Sequence, residues 1–207
     1  MSRYLGPKCK QCRREGMKLF LKGSKCEGKC TLDKRPKPPG MKQRFRGKLS
    51  DYGLQLREKQ KVRRIYGVLE KQFRIYIEKA GKMKGVKGEN LLSILERRLD
   101  NVVFRLGMGA SRNAARQIVK HGMVKVNGHK VDIPSFLVKQ EDIIEINEND
   151  KNKKIFQEYQ ERFEENRVPK WLNLNLKALR ATVVNLPVRE DIQIEIQEQL
   201  IVEFYSR

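Results

Sequence analysis

Residues 97–131 read Arg97-Arg-Leu-Asp-Asn-Val-Val-Phe-Arg-Leu-Gly107-Met-Gly-Ala-Ser111-Arg-Asn-Ala-Ala-Arg-Gln-Ile-Val-Lys-His-Gly122-Met-Val-Lys-Val-Asn-Gly-His-Lys-Val131. Three local signals follow one another here. Leu99, Val102, Val103 and Leu106 continue a stripe begun by Leu91 and Leu95, at spacings of three and four. That period predicts one helix over roughly 89–106 with a buried side. Gly107 and Gly109 end it. Ser111 is placed to cap a second helix running to about Lys120, packed through Ala114, Ala115, Ile118 and Val119 and closed by Gly122. Alternating apolar residues around Asn127-Gly128 then predict a two-residue hairpin, because that dipeptide accepts the positive φ such a turn demands.

Working outward, Ile143-Ile144-Glu-Ile146 reads as a further strand, and 153–166 as an acidic helix. Upstream, Ser50 and Asp51 suit the start of a helix over 51–66, and Gly67 separates it from a second helix over 68–80 with Leu69, Phe73, Tyr76 and Ile77 on its apolar side. Residues 196–205 have the spacing of a final helix. The expected fold is α+β: a basic, zinc-bound N-terminal arm over 1–46, a helical domain over 47–95 completed by 166–207, and an inserted helix-helix-β-hairpin module on a small antiparallel sheet over 96–165.

The 207 residues carry 46 Lys and Arg against 25 Asp and Glu, a net charge of +21. Self-repulsion on that scale disfavours an isolated compact chain and points to a polyanionic partner. The excess is uneven. Residues 1–50 hold 16 basic and 3 acidic side chains, and 51–88 hold 11 and 4, whereas 89–207 hold 19 and 18. Within the last part, 97–130 is basic and 141–165 acidic, so one side is expected to face phosphate and another water or a basic protein. No apolar run approaches the length of a membrane span, and Met1-Ser2-Arg3-Tyr4 lacks the apolar core of a signal peptide. A cytoplasmic chain without membrane or small-molecule partners is expected.

All four cysteines, Cys9, Cys12, Cys26 and Cys30, fall in the first 30 residues, spaced C-x2-C-x13-C-x3-C. Two close pairs across a loop can place four thiolates around one structural zinc ion, with Gly28 allowing a positive φ in the second turn. Two disulfides, four inert thiols or an iron–sulfur cluster are the alternatives. Zinc would supply ordering energy, on the order of 10 kcal/mol, to a region with few large apolar residues.

A phosphate polymer fits this charge pattern, and the resemblance described below implies that it is RNA. Aromatic residues are 7% of the chain, which suits shape and phosphate recognition better than base stacking. In the arm, Arg3, Lys8, Arg13, Arg14, Arg44 and Arg46 are the expected contacts. Arg57, Lys61 and Arg64 form a stripe along the 51–66 helix. In the module, the start of the 111–120 helix offers Ser111 and free backbone N–H groups to a phosphate. Arg112, Arg116 and Lys120 follow at spacings of four, joined by Arg98, His121, Lys125, Asn127 and Lys130. Against this, Asn127-Gly128 serves as turn geometry, His121 as a helix-end residue, and Arg97, Arg98 and Arg105 as a solvated face or partners of Asp100.

The stretch Arg97–Gly107, with Ser111-Arg112, Ala115-Arg116, His121-Gly122 and Val126-Asn127-Gly128, resembles the RNA-binding module named after the fourth small-subunit ribosomal protein. That module also occurs in pseudouridine synthases, tyrosyl-tRNA synthetases and a heat-shock protein. Ser2–Pro7, Ser50–Gly53, Glu58–Lys61, Tyr66-Gly67 and Gln199–Tyr205 resemble the ribosomal family itself, in its zinc-retaining form. The resemblance implies a non-enzymatic, primary binder of small-subunit ribosomal RNA that nucleates assembly of the subunit body. It also implies the fifth small-subunit protein as neighbour, a place near the messenger RNA entry channel and a part in translational accuracy. An RNA-modifying enzyme would need a catalytic domain that the 50 residues after 157 do not offer. A zinc-containing DNA regulator would need a finger spacing the cysteines lack.

Overall fold

In the computed structural model, which describes residues 4–40, 49–151, 153–161, 163 and 168–206, the chain divides into two units, Met1–Leu91 with Ile194–Arg207, and Leu92–Gln193.

The first unit is helical. Three short helices, α1 (Lys8–Glu15), α2 (Ser24–Glu27) and α3 (Thr31–Lys34), are followed by α4 (Asp51–Tyr66) and α5 (Glu70–Lys82), and the unit is completed by the C-terminal α11 (Glu198–Tyr205). Ser50 caps α4 by accepting from the Gly53 N–H at 3.2 Å, as its hydroxyl chemistry demands. Gly67 leaves α4 in the left-handed region, φ 63°, and turns the chain into α5. Val62, Ile65, Tyr66, Val68, Phe73, Tyr76, Ile77, Ala80, Leu91, Ile196 and Ile201 are the buried apolar residues of this unit's longer helices and their flanks.

A polar knot supplements them. Lys59 lies 4.2 Å from the Phe204 ring centroid and donates to Glu70 at 3.1 Å. Arg63 reaches the other Glu70 oxygen at 2.7 Å, and the Tyr205 hydroxyl donates to Glu70 at 2.6 Å. Burial pushes the Glu70 carboxyl up, but the Tyr205 hydrogen bond with Lys59 and Arg63 outweighs it and holds the group below its ordinary value.

The second unit carries the sheet. Here α6 (Lys87–Glu96), which begins in the first unit, is followed by α7 (Leu99–Arg105) and α8 (Arg112–Lys120), then β1 (Val124–Val126), β2 (His129–Lys130) and β3 (Ile143–Ile146). After α9 (Glu148–Lys151) and α10 (Lys154–Glu161) come β4 (Leu172–Asn175), β5 (Arg180–Val183) and a 3₁₀ turn at Arg189–Asp191. The five strands are antiparallel in the order β2-β1-β3-β5-β4. Val124, Val126, Ile144, Ile146, Ala181 and Val183 alternate onto one face and are buried with Leu99, Val102, Leu106 and Ile118 of α7 and α8. Asn127 and Gly128 both take positive φ, 51° and 79°, as the two-residue hairpin requires.

Three expectations change. The single helix over 89–106 is two helices: Arg98 is extended (φ −65°, ψ 133°) and bridges Leu137, while Leu99 N–H donates to Phe136 O. The apolar period runs through the break because Leu95 and Leu99 are both buried. Residues 168–193, expected to complete the helical domain, instead supply β4 and β5, which pair with β3. Gly28 has φ −89°, so its turn does not use the left-handed region. The acidic helix expected over 153–166 is described as α10, the positions beyond 163 up to 167 lying outside the described residues.

Because Glu70 is held deprotonated by folding, its contribution is present above the unfolded value near 4.5 and is lost as pH falls below it. Glu70→Gln should lower stability in urea unfolding at pH 7 by up to about 1 kcal/mol, the range for part-exposed pairs. The difference between the two proteins should shrink as pH falls below 4.5 and through the lowered folded-state value.

Candidate nucleic-acid interface

Helix α8 is positioned by its first residues. Ser111 accepts from the Ala114 N–H at 3.3 Å, so the cap is made by the side chain the sequence offered. Gly109 lies so close to the α8 backbone that a Cβ there would meet Ala115 N at 2.6 Å, which excludes any other residue without a shift of the loop.

Beneath this helix start lies a network of buried charge. Arg98, 2% exposed, donates through Nε to Asp100 Oδ1 at 3.0 Å and through Nη2 to Oδ2 at 2.6 Å. Arg116 of α8 reaches the same Oδ2 at 2.9 Å. Alongside, Arg105 grips Glu96 with two bonds, 2.8 and 2.7 Å. Asn101 donates to Glu96 at 2.8 Å and accepts from Arg112 Nε at 2.8 Å. The Arg112 guanidinium carbon also lies over the Phe104 ring, 4.4 Å from its centroid. Forked guanidinium pairs of this kind fix orientation as well as charge.

The expected contacts therefore divide. Arg98 is inside the protein as a partner of Asp100, so it cannot meet a ligand in this arrangement; the reading of internal pairing describes it. Arg112 and Arg116 are half-buried and tied down, while Lys120 and His121 stand exposed at the C-terminal end of α8. Asn127 acts on structure: it donates to Asp142 at 2.9 Å and accepts from the Ile143 N–H at 2.8 Å, locking the hairpin to β3. Lys125 and Lys130 lie opposite each other in register on β1 and β2.

In the first unit the stripe on α4 is turned inward. Arg57 and Arg64 both pair with Glu15 of α1, and Lys61 pairs with Glu58 at 2.6 Å and donates to the Glu195 carbonyl at 2.9 Å. Glu15, its side chain 3% exposed, is the acid that sequence reading passed over. It stands between Arg13, Arg14 and the distant α4, and no local pattern reveals that pairing. Burial pushes the Glu15 carboxyl up despite Arg64 and Arg57, and burial likewise holds Arg64 below its ordinary value. Desolvation outweighs attraction on both partners, so the pair specifies where α1 docks more than it stabilises. Arg13 donates to the Lys37 carbonyl at 2.9 Å, Lys8 folds back on Tyr4 O at 2.9 Å, and Arg14 is exposed. Arg3, Arg44 and Arg46 lie outside the described residues.

The four cysteines are free thiols, three of them buried. Burial pushes the Cys12 thiol up, and the neighbouring Cys26, Cys9 and Cys30 add to the shift. The Lys22 N–H donates to Cys26 Sγ at 3.4 Å. The donor chemistry fits a soft divalent ion. No group of three or more metal-binding side chains among the described residues is drawn together as a metal centre. No helix among the described residues is long and apolar enough to cross a membrane.

Comparison with known proteins places these features in a family. Residues 3–96 match the family model described as ribosomal protein S4/S9 N-terminal domain, and residues 97–144 match the S4 domain. The chain is 58% identical over 208 residues to the small ribosomal subunit protein uS4 of Caldicellulosiruptor bescii, with all of both chains covered. It is 57% identical over 208 residues to the proteins of the same name from Thermodesulfovibrio yellowstonii and Halothermothrix orenii, again over the full length of each.

Removing Asp100 would take the shared carboxylate away from two guanidiniums. Asp100→Ala should cost about 3–5 kcal/mol in urea unfolding, the range for an orphaned buried charge. The triple change Arg98→Met, Asp100→Leu and Arg116→Met, which removes the acid and both of its partners, should recover most of that loss.

Proposed function

Since the chain belongs to the uS4 family of small ribosomal subunit proteins, we propose that it is a structural, non-enzymatic constituent of that subunit in the cytoplasm, binding small-subunit ribosomal RNA. The full-length match carries this reading. The physical features agree with it: a net charge of +21, an exposed cationic end on α8 and two lysines on the hairpin. The chain docks early on naked RNA and nucleates assembly of the subunit body. It lies beside the fifth small-subunit protein and near the messenger entry channel, where it contributes to translational accuracy. The support for these finer points is the resemblance of the whole chain to the ribosomal family.

Recognition in this reading is electrostatic and shape-led. Lys120, His121, Lys125 and Lys130 meet phosphates, and Arg112 and Arg116 add their remaining guanidinium surface at the helix start. The arm residues Arg3, Lys8, Arg13, Arg14, Arg44 and Arg46 extend the contact. Arg57, Lys61 and Arg64 serve it indirectly, by seating α1 and the chain before α11.

The four cysteines hold one structural zinc ion, in the zinc-retaining form of the family. Bound, the ion acts as a cross-link for a region whose buried residues amount to little beyond Leu19, Leu21 and three of the cysteines. The thiols donate, and the Lys22 N–H steadies one sulfur.

Two measurements test the reading. Affinity of the full chain for small-subunit RNA should fall by roughly 0.7–0.9 log units per phosphate contact for each tenfold rise in salt, and should exceed affinity for heparin; equal affinity for both polymers would overturn it. Metal analysis should find one zinc per chain, and a chelator should accelerate amide exchange across residues 8–34 while leaving β1, β3 and β5 protected. A chain free of zinc when purified from zinc-supplied cells would remove the metal from the account.

A further inference from the structure

The five-stranded sheet buries one face and leaves the other open. Side chains alternate along a strand, so residues in register with one another across strands share a face. Register places Lys130 on β2 opposite Lys125 on β1, Lys125 opposite Glu145 on β3, Glu145 opposite Arg180 on β5, and Arg180 opposite Asn175 on β4. These five positions form one row across the whole sheet, on the face away from the buried valines and isoleucines. Every residue of the row is exposed or half-exposed.

Arg180, in this row, differs from the other described arginines of its unit. Arg97, Arg98, Arg105, Arg112, Arg116 and Arg189 each donate to a protein acceptor. Arg180 is the one described arginine of the unit that does not, and among the described residues Lys125, Lys130 and Glu145 also make no side-chain hydrogen bond or ion pair. Two lysines directly opposed on neighbouring strands repel each other. That arrangement costs stability in the free chain and is relieved by an anion laid across them. The Lys130 stem packs over Gly122, at φ 70°, which brings the row next to Lys120 and His121 at the end of α8. At about 4.8 Å per strand, Lys130 to Arg180 spans roughly 14 Å, a distance over which a nucleic-acid strand presents several phosphates.

We propose that the open face of the sheet extends the RNA-binding surface as a phosphate track running from the end of α8 through Lys130 and Lys125 to Arg180, with Asn175 at its far edge. The proposal rests on the RNA-binding reading above and extends it to strands outside the 97–144 module. Glu145 is the one acid on the track. It limits affinity, and its removal strengthens binding.

The test is a set of salt titrations of the full chain on small-subunit RNA. Arg180→Gln and Lys125→Gln should each weaken binding about three- to tenfold and flatten the salt dependence by about one contact. Glu145→Gln should strengthen binding about two- to fivefold, a gain that misfolding cannot produce. Asn173→Ala, on the neighbouring register row, should change neither affinity nor slope. If the parent chain binds the RNA well while Arg180→Gln and Glu145→Gln match it in affinity and slope, the track is overturned and the wider reading stands. If the parent chain does not prefer the RNA to heparin, the wider reading fails and the track with it.

Discussion

Asp100 accepts from Arg98 and Arg116 at once, and the arrangement of the second unit follows from that shared carboxylate. Arg98 can reach it only if the backbone leaves helical geometry at residues 97–98, and the extended Arg98 then pairs with the segment at Leu137. Arg116 reaches it from α8, which sets the rotation of that helix and therefore which of its residues face outward. The cost of burying three charges is met only because every carboxylate oxygen is bonded. Apolar packing of Leu99, Val102 and Ile118 supplies the stability, and the charged cluster decides the geometry.

One consequence is a sorting of cations. The chain carries 46 lysines and arginines, and charge alone treats them alike. The fold does not. Arginines near buried acids become internal struts: Arg98 and Arg116 on Asp100, Arg105 on Glu96, Arg57 and Arg64 on Glu15. Lysines at a helix end or on the open sheet face, such as Lys120, Lys125 and Lys130, keep their charge in water. The division follows the chemistry of the two side chains. A planar fork satisfies a buried carboxylate with two bonds, while an ammonium is more strongly hydrated and favours the surface; Lys59, buried against Glu70 and Phe204, is the exception.

Much of the fold was legible because its signals are local. Ser50 and Ser111 cap the helices they precede, Asn127-Gly128 makes the hairpin, and Ile143–Ile146 forms a strand. The missed features need partners far away in sequence. The break at Arg98 was hidden by an apolar stripe that continues through it. Strands β4 and β5 are four residues each, and only pairing with β3 makes them a sheet. The ion pairs of Arg57 and Arg64 with Glu15, and the burial of the Arg98–Asp100 pair, are tertiary facts that no local pattern carries. Asn127 was legible as a turn residue, and its bonds to Asp142 and Ile143 show why that role dominates.

The sorting of cations is tested most directly by lysine reactivity. The full chain, with and without small-subunit RNA, would be acylated briefly and the modified positions read by mass spectrometry. Bound RNA should protect Lys120, Lys125 and Lys130 and leave Lys153 and Lys154, in the acidic segment, as reactive as before. Unchanged reactivity at all three, or protection centred on Lys153 and Lys154, would contradict the account.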